Sequence, residues 1–449
     1  RRGGAVRAPP PPPHLLWRSA GGGPPPPPPP DEPVVTAPLV CGQVITQSVT
    51  LQNDLLGCLG EGLVIGAPNI VVDLNGHTIS SGIIPEPGEE DGLLAGIRNA
   101  GYDNVIIRNG TVRGFGYGVR LLPGTTFNVV ETMTLFGNVN AGVNLFDADD
   151  GRNGNIVRNN YFEENGYGVL VEFGSENSQI TGNEFFGNGN IAIELFDSSG
   201  HRIEGNTISG LTNNPLLDSD GAMELIASSN NIIRNNDLSD SGDAGIALGD
   251  GSNDNLIEDN RLTRASDSAI SIDDSDRNRV LNNVVHLAGG AGIGLGNAND
   301  NEVRDNDVRF NPGGVELAGS SNNLIENNNA SDTGASGISA EGGENNIIRG
   351  NLANNTGAAG ISVEAETLDA LGNPVGGFVI EDNEANNNLA SGISVGGSGH
   401  LIRNNSAYNN LAFGISAAEG NLDGGGNLAS GNAEPLQCVG VVCSPGDGA

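Results

Sequence analysis

The chain has 449 residues, of which 70 are glycine and only 4% aromatic, and its 20 basic residues are all arginine. A formal charge of −35 makes nucleic acid an unfavourable partner, because phosphate and protein repel. So little aromatic bulk among so many Gly, Asn, Asp and Ser excludes one broad core and points to many short elements joined by turns.

Residues 1–38 carry the runs Pro9–Pro13 and Pro24–Pro30 among glycines, a composition expected to form a disordered Pro-rich tail or linker. Its one apolar cluster, Leu15-Leu16-Trp17, is far too short for a membrane span, and no transmembrane segment is expected. Any export signal would lie upstream of Arg1.

Residues 39–68 read as an N-terminal cap with Cys41 and Cys58, residues 69–435 as a repeat region, and residues 436–449 as a C-terminal tail with Cys438 and Cys443. The cysteines flank the repeats in two close pairs, which suits two local disulfides. The first would contribute about 3 kcal/mol by closing a loop in the unfolded chain. Disulfides imply an oxidising compartment: secreted, periplasmic or cell-surface. A four-cysteine zinc site would require ends roughly 65 Å apart to meet.

Within the repeats, the segments NIVRNN (155–160), QITGN (179–183), NIIRNN (231–236), NLIEDN (255–260), NLIENN (323–328) and HLIRNN (400–405) share one phase. Their last Asn continues a column from Asn75 through Gly110, Met133 and Asn160 to Asn427, mostly in steps near 23, as from Asn260 to Asn283 to Asn306. Three residues earlier an aliphatic recurs, for example Val157, Ile180, Ile203, Ile233 and Ile257, preceded by chemically mixed residues, so the period is that of a strand with one face inward. The residue two past the Asn also points inward and shrinks along the chain, from Phe162 and Phe185 to Ala385 and Ala407. A second strand follows, Gly or Ala then an aliphatic, a variable residue and another aliphatic, as in GVRL (118–121), AIEL (192–195) and GIGL (292–295). One coil is too small to bury its own apolar residues, so stacking makes the core. These observations predict an all-β, single-stranded parallel β-helix of about fifteen coils. Longer steps mark insertions, among them SGIIPEPGEEDG, TNNPLLDSD and EAETLDALGNP.

The stretches IVVDLNGHTIS (70–80) and NVIIRNGTVRGFGYGV (104–119), with the N-x-I-x-x-N coils, resemble the secreted right-handed β-helix repeat proteins, over roughly residues 60–435. Those include NosD-like periplasmic proteins and relatives of pectate lyases and mannuronan epimerases. The resemblance implies a right-handed β-helix and leaves function open, since that fold carries lyases, hydrolases, epimerases, adhesins and scaffolds. The Tyr-Gly-Phe-Asp-Pro-His stretch of the alginate epimerases and the Arg-Ile-Lys of the polygalacturonases do not occur here. Copper binding, which the NosD name implies, wants clustered His, Met or Cys, and the five histidines are scattered.

The variable residue of the second strand should face solvent. Glu194 and Glu224 then fall on adjacent coils, where opposed like charges call for a cation or a shared proton. Asp218 and Asp220 arrive in the loop just before Ala222, and the next outward column gives Phe146, Glu172, Phe196 and Asp273. Carboxylates beside exposed rings suit calcium through hard oxygen ligands, sugar stacking, or acid and nucleophile roles in glycoside cleavage. Arg98 and Arg120 form a second candidate, able to grip a carboxylate of a substrate or to pair with Glu86, Glu89, Glu90 or Asp91. His201 and His400 read as turn residues, and His77 as an end-coil residue bonded to its turn. The leading expectation is a monomeric module binding polysaccharide or cell-envelope glycan without catalysis. The alternatives are a polysaccharide lyase, hydrolase or epimerase using Glu194, Glu224, Asp218 and Asp220, and a structural spacer or adhesin.

Overall fold

The structure, a computed structural model, describes residues 34–35, 38–85, 93–148, 154–211, 221–364 and 376–446. The Pro-rich runs expected to be a disordered tail lie outside them, as do most of the three insertions. The chain is an all-β parallel solenoid of about sixteen turns, close to the fifteen read from the repeat. A typical coil contributes three short strands, as in Ile156–Arg158, Tyr161–Glu163 and Tyr167–Glu172. The first two join a parallel sheet of twenty-five strands, and the third joins a second sheet of seventeen. The inward residue two past the Asn therefore has a strand of its own.

The aliphatic columns are inward as predicted: Val157, Ile180, Ile203, Ile233 and Ile257 are fully buried and in register coil on coil. Phe162 and Phe185 stack at 4.6 Å with planes 7° apart. They fit because the facing strand supplies Gly142 and Gly168, where an added Cβ would come within 2.6 Å and 2.5 Å of those rings.

The Asn column solves a hydrogen-bonding problem created by the turns. Asn159, just before Asn160, has φ 53°, a left-handed conformation that interrupts the ladder and that Asn tolerates. The N–H of Asn160 turns inward, where Oδ1 of Asn183 on the next coil accepts it at 3.0 Å, and Asn183 Nδ2 donates back to the Val157 carbonyl at 2.9 Å. The same exchange runs unbroken through Asn206, Asn236, Asn260, Asn283, Asn306, Asn328, Asn351, Asn383 and Asn405 to Asn427. Asn75 is a correction to the expected column: it is exposed at φ 49°, and Leu74 fills the interior against Gly110.

Three further ladders occupy the other turns. One runs through Asn138, Asn165 and Asn188 and reappears at Asn388, Asn410 and Asn432. One is built of serines, with Ser228, Ser252 and Ser275 in succession. The last mixes Asn155, Ser178, His201, Asn231 and Asn255. His201 and His400 are therefore interior residues of that ladder, each accepting a backbone N–H on Nδ1 from Ser178 and Phe378.

Outside the first sheet, one column alternates in charge. Asp73, Arg108, Glu131 and Arg158 lie in register on successive coils, as do Glu204, Arg234 and Glu258, and then Arg304, Glu326, Arg349, Glu381 and Arg403. Neighbours in it form ion pairs such as Arg349–Glu326 at 2.7 Å.

Both disulfides, Cys41–Cys58 and Cys438–Cys443, are present. Parallel pairing extends beyond the repeat region read from sequence. Val34–Val35 pairs with Val49 and Thr50, Gln43–Ile45 with Leu63–Ile65, and Cys438–Val439 with Ile415 and Ser416. These segments lack the Asn signature, which is why the sequence pattern stops short of them. Among the described residues no helix is long and apolar enough to cross a membrane.

Candidate functional site

The outer face of the second sheet brings most of the predicted residues together. Register sets Arg98 beside Arg120, Arg120 beside Asn144, Asn144 beside Leu170, Leu170 beside Glu194, and Glu194 beside Glu224. The next column reads Phe146, Glu172, Phe196, Ile226.

The two glutamates are opposed as expected, but their environment is not. They are only 9% and 8% exposed, where sequence placed them at the solvent surface. The half-buried ring of Tyr167 is hydrogen-bonded to Asn190 and Glu194; burial first, then the Glu194 charge, pushes the phenol up to about 12. Asp218 and Asp220 lie outside the described residues. Among the described residues no group of three or more His, Cys, Asp or Glu is placed to hold a metal.

The arginines behave differently from each other. Arg98 is tied to Glu61, Nε to Oε1 at 2.8 Å, and the four loop acids expected as its partners lie outside the described residues. Among the described residues Arg120 has no carboxylate partner. Its guanidinium lies 4.4 Å from the Tyr117 ring centroid and 5.8 Å from that of Phe146, and donates to Asn144 Oδ1 at 3.2 Å. Asn144 in turn donates to Glu172 Oε2 at 2.8 Å. Burial raises the Glu172 carboxyl above its usual range, against the lowering pull of that hydrogen bond and of Arg120.

Sequence reading missed Phe173, which completes the patch. Its ring sits edge-to-face between Phe146 at 5.3 Å and Phe196 at 5.4 Å, and it is 45% exposed. Its φ is 52°, at a turn position that neighbouring coils give to Asp147 and Asp197. A bulky residue there costs roughly 1 kcal/mol and gains no core packing. The signal was available in the alignment: an aromatic in a column of turn-forming acids.

Beyond Glu224 the same face drops into a shallow trough. Ala247, Gly249, Gly294, Gly296 and Ala318 leave it open, and two contiguous hollows share Ser268, Ser271 and Asp273. Glu316 lines its far end, its carboxyl pushed up by burial and then by Glu341 and Asp267.

His286 faces Asp307, with Nε2 3.3 Å from Oδ1. His400 is buried against Phe378. His77 is bonded at 2.9 Å to Asp54, one coil earlier, where its own turn was expected, and Ile79 rather than His77 fills the inward place beside Val112.

Among solved structures, a point mutant of the periplasmic alginate epimerase AlgG is 14% identical, with TM-score 0.44 and coverage of 70% of this chain and 79% of that one. The tailspike of E. coli bacteriophage HK620, solved with a hexasaccharide, is 14% identical, with TM-score 0.43 and coverage of 84% and 73%. The A-module of the Azotobacter vinelandii mannuronan C-5 epimerase AlgE4 is 13% identical, with TM-score 0.34 and coverage of 85% and 89%. No curated protein matches the sequence. The model of the periplasmic copper-binding protein NosD matches residues 263–418. The described residues of that stretch do not fit copper, since His286 and His400 stand apart in the environments given above and the stretch has no Cys or Met. The right-handed β-helix region model matches residues 53–208 and 174–309, more than half of the chain, and the protein belongs to the right-handed β-helix family.

Proposed function

We propose that this chain is an exported β-helix module that binds glycan on the outer face of its second sheet, at Phe146, Phe173 and Phe196. The observation that carries the reading is Phe173, an exposed ring held in a costly backbone conformation between two others. The rings offer apolar faces to the C–H side of a sugar, while Arg120 donates and Glu172 accepts hydrogen bonds at the margin. Export is supported by the two disulfides.

The test is retention of the full chain on immobilised neutral and uronic polysaccharides, with calcium or with chelator. At least one should retain it, and Phe173→Asn, which suits the turn, should weaken retention about tenfold. Wild type passing every column unretarded, or Phe173→Asn binding as wild type does, would overturn the reading. New reducing or unsaturated ends in the eluate would replace it with an enzyme.

A further inference from the structure

Among the described residues every arginine makes an ion pair except two, Arg113 and Arg120. Arg120 flanks the Phe146, Glu172, Phe196 column already described. Arg113 heads a matching column on the outer face of the first sheet: Arg113, Phe136, Glu163 and Phe186 lie in register on four successive coils. The two Phe-Glu-Phe columns occupy the same three coils.

The second column is open to solvent. Phe186 is 48% exposed, and its ring lies over Gly210, where an added Cβ would come within 2.9 Å of it. Phe136 and Arg113 line a hollow of about 210 Å³ with Ser80, Ser81, Gly114 and Gly137. Two coil steps set the rings about 10 Å apart along the solenoid axis.

The order of chemistry along this column is donor, ring, acceptor, ring. A guanidinium only donates hydrogen bonds and a carboxylate only accepts them. A sugar hydroxyl does both, and a pyranose also has an apolar face, so a polyhydroxylated chain laid along the axis complements all four residues. An acidic glycan would meet Glu163 and the −35 charge of the whole chain. We infer that Arg113, Phe136, Glu163 and Phe186 form a second glycan-binding track, selective for uncharged polysaccharide, and that each molecule holds two glycan chains on different faces.

The inference extends the glycan reading but stands on other residues, so the two can fail separately. Cellohexaose, laminarihexaose, mannohexaose and hexagalacturonate would be titrated into the full chain by calorimetry. The variants are Phe136→Ala with Phe186→Ala, Phe146→Ala with Phe196→Ala, and Arg113→Gln, each checked by far-UV circular dichroism. All five positions are at least partly exposed, so the fold should persist. With a neutral hexaose, wild type should show two sites. Each phenylalanine pair should remove one, and Arg113→Gln should weaken the first-sheet site about tenfold. Unchanged stoichiometry in Phe136→Ala with Phe186→Ala overturns the second track and leaves the second-sheet site standing. Loss of all binding in Phe146→Ala with Phe196→Ala also overturns it. Binding of hexagalacturonate but no neutral hexaose overturns the selectivity, and no binding of any probe overturns both sites.

Discussion

Oδ1 of Asn283 accepts two hydrogen bonds from Asn260, one from its backbone N–H and one from its side-chain Nδ2, both at 3.0 Å. One buried oxygen therefore satisfies two donors of the coil before it.

Asn283→Ala removes that oxygen and leaves both donors buried without it. Stability should fall by about 1–3 kcal/mol, read as a lower urea midpoint at constant slope. The same change at the exposed Asn75, outside the ladder, should cost less than about 1 kcal/mol.

His201 is 1% exposed, and burial drives its imidazole down to about 4 from the usual 6.5. The unfolded chain binds the proton more readily, so the stabilisation is complete above pH 6.5 and drains away as pH falls from 6.5 toward 4. The shift amounts to about 3 kcal/mol. His400 is lowered by burial too and adds in the same direction. His201→Asn restores the ladder's usual residue, so its urea midpoint should change less between pH 7 and pH 5 than that of wild type.

Gly168→Ala sets a methyl within 2.5 Å of both the Phe185 ring and the Ala192 carbonyl oxygen. A loss of about 1–3 kcal/mol is expected, and Phe185→Leu in the same chain should recover part of it. Additive effects in the double variant would show that the contact is not the cause.

Phe173→Asn should do the opposite, raising stability by up to about 1 kcal/mol while it weakens glycan retention. A melting temperature that falls instead would mean that the ring supports the fold rather than a ligand.

Glu326 and Arg349 meet at 2.7 Å on the surface, with the arginine 40% exposed. A double-mutant cycle on this pair should return less than about 1 kcal/mol, shrinking further in molar salt.

What the sequence made legible was what repeats in kind. Aliphatics such as Ile180 and Ile203 stand at a fixed offset from an Asn, and one such column defines the coil. The ladder through Ser178, His201 and Asn231 was not legible, because any side chain that accepts a backbone N–H fills its place and no single letter recurs. The hydrogen bond of Glu194 with Tyr167, on the preceding coil, was hidden for another reason: no column of like residues marks that contact. Phe173 could have been found by asking which residue type does not belong in its turn.

A solenoid of near-identical coils can wind in the wrong order, because any coil offers much the same apolar face to any other. The alternating column on the first sheet tells the coils apart. A chain that skipped one coil would oppose Glu204 with Glu258, or Arg304 with Arg349, where correct winding opposes Glu with Arg. Each pair adds little stability, but where the signs alternate they make a parity mark along the molecule, by which a coil can reject the one after next.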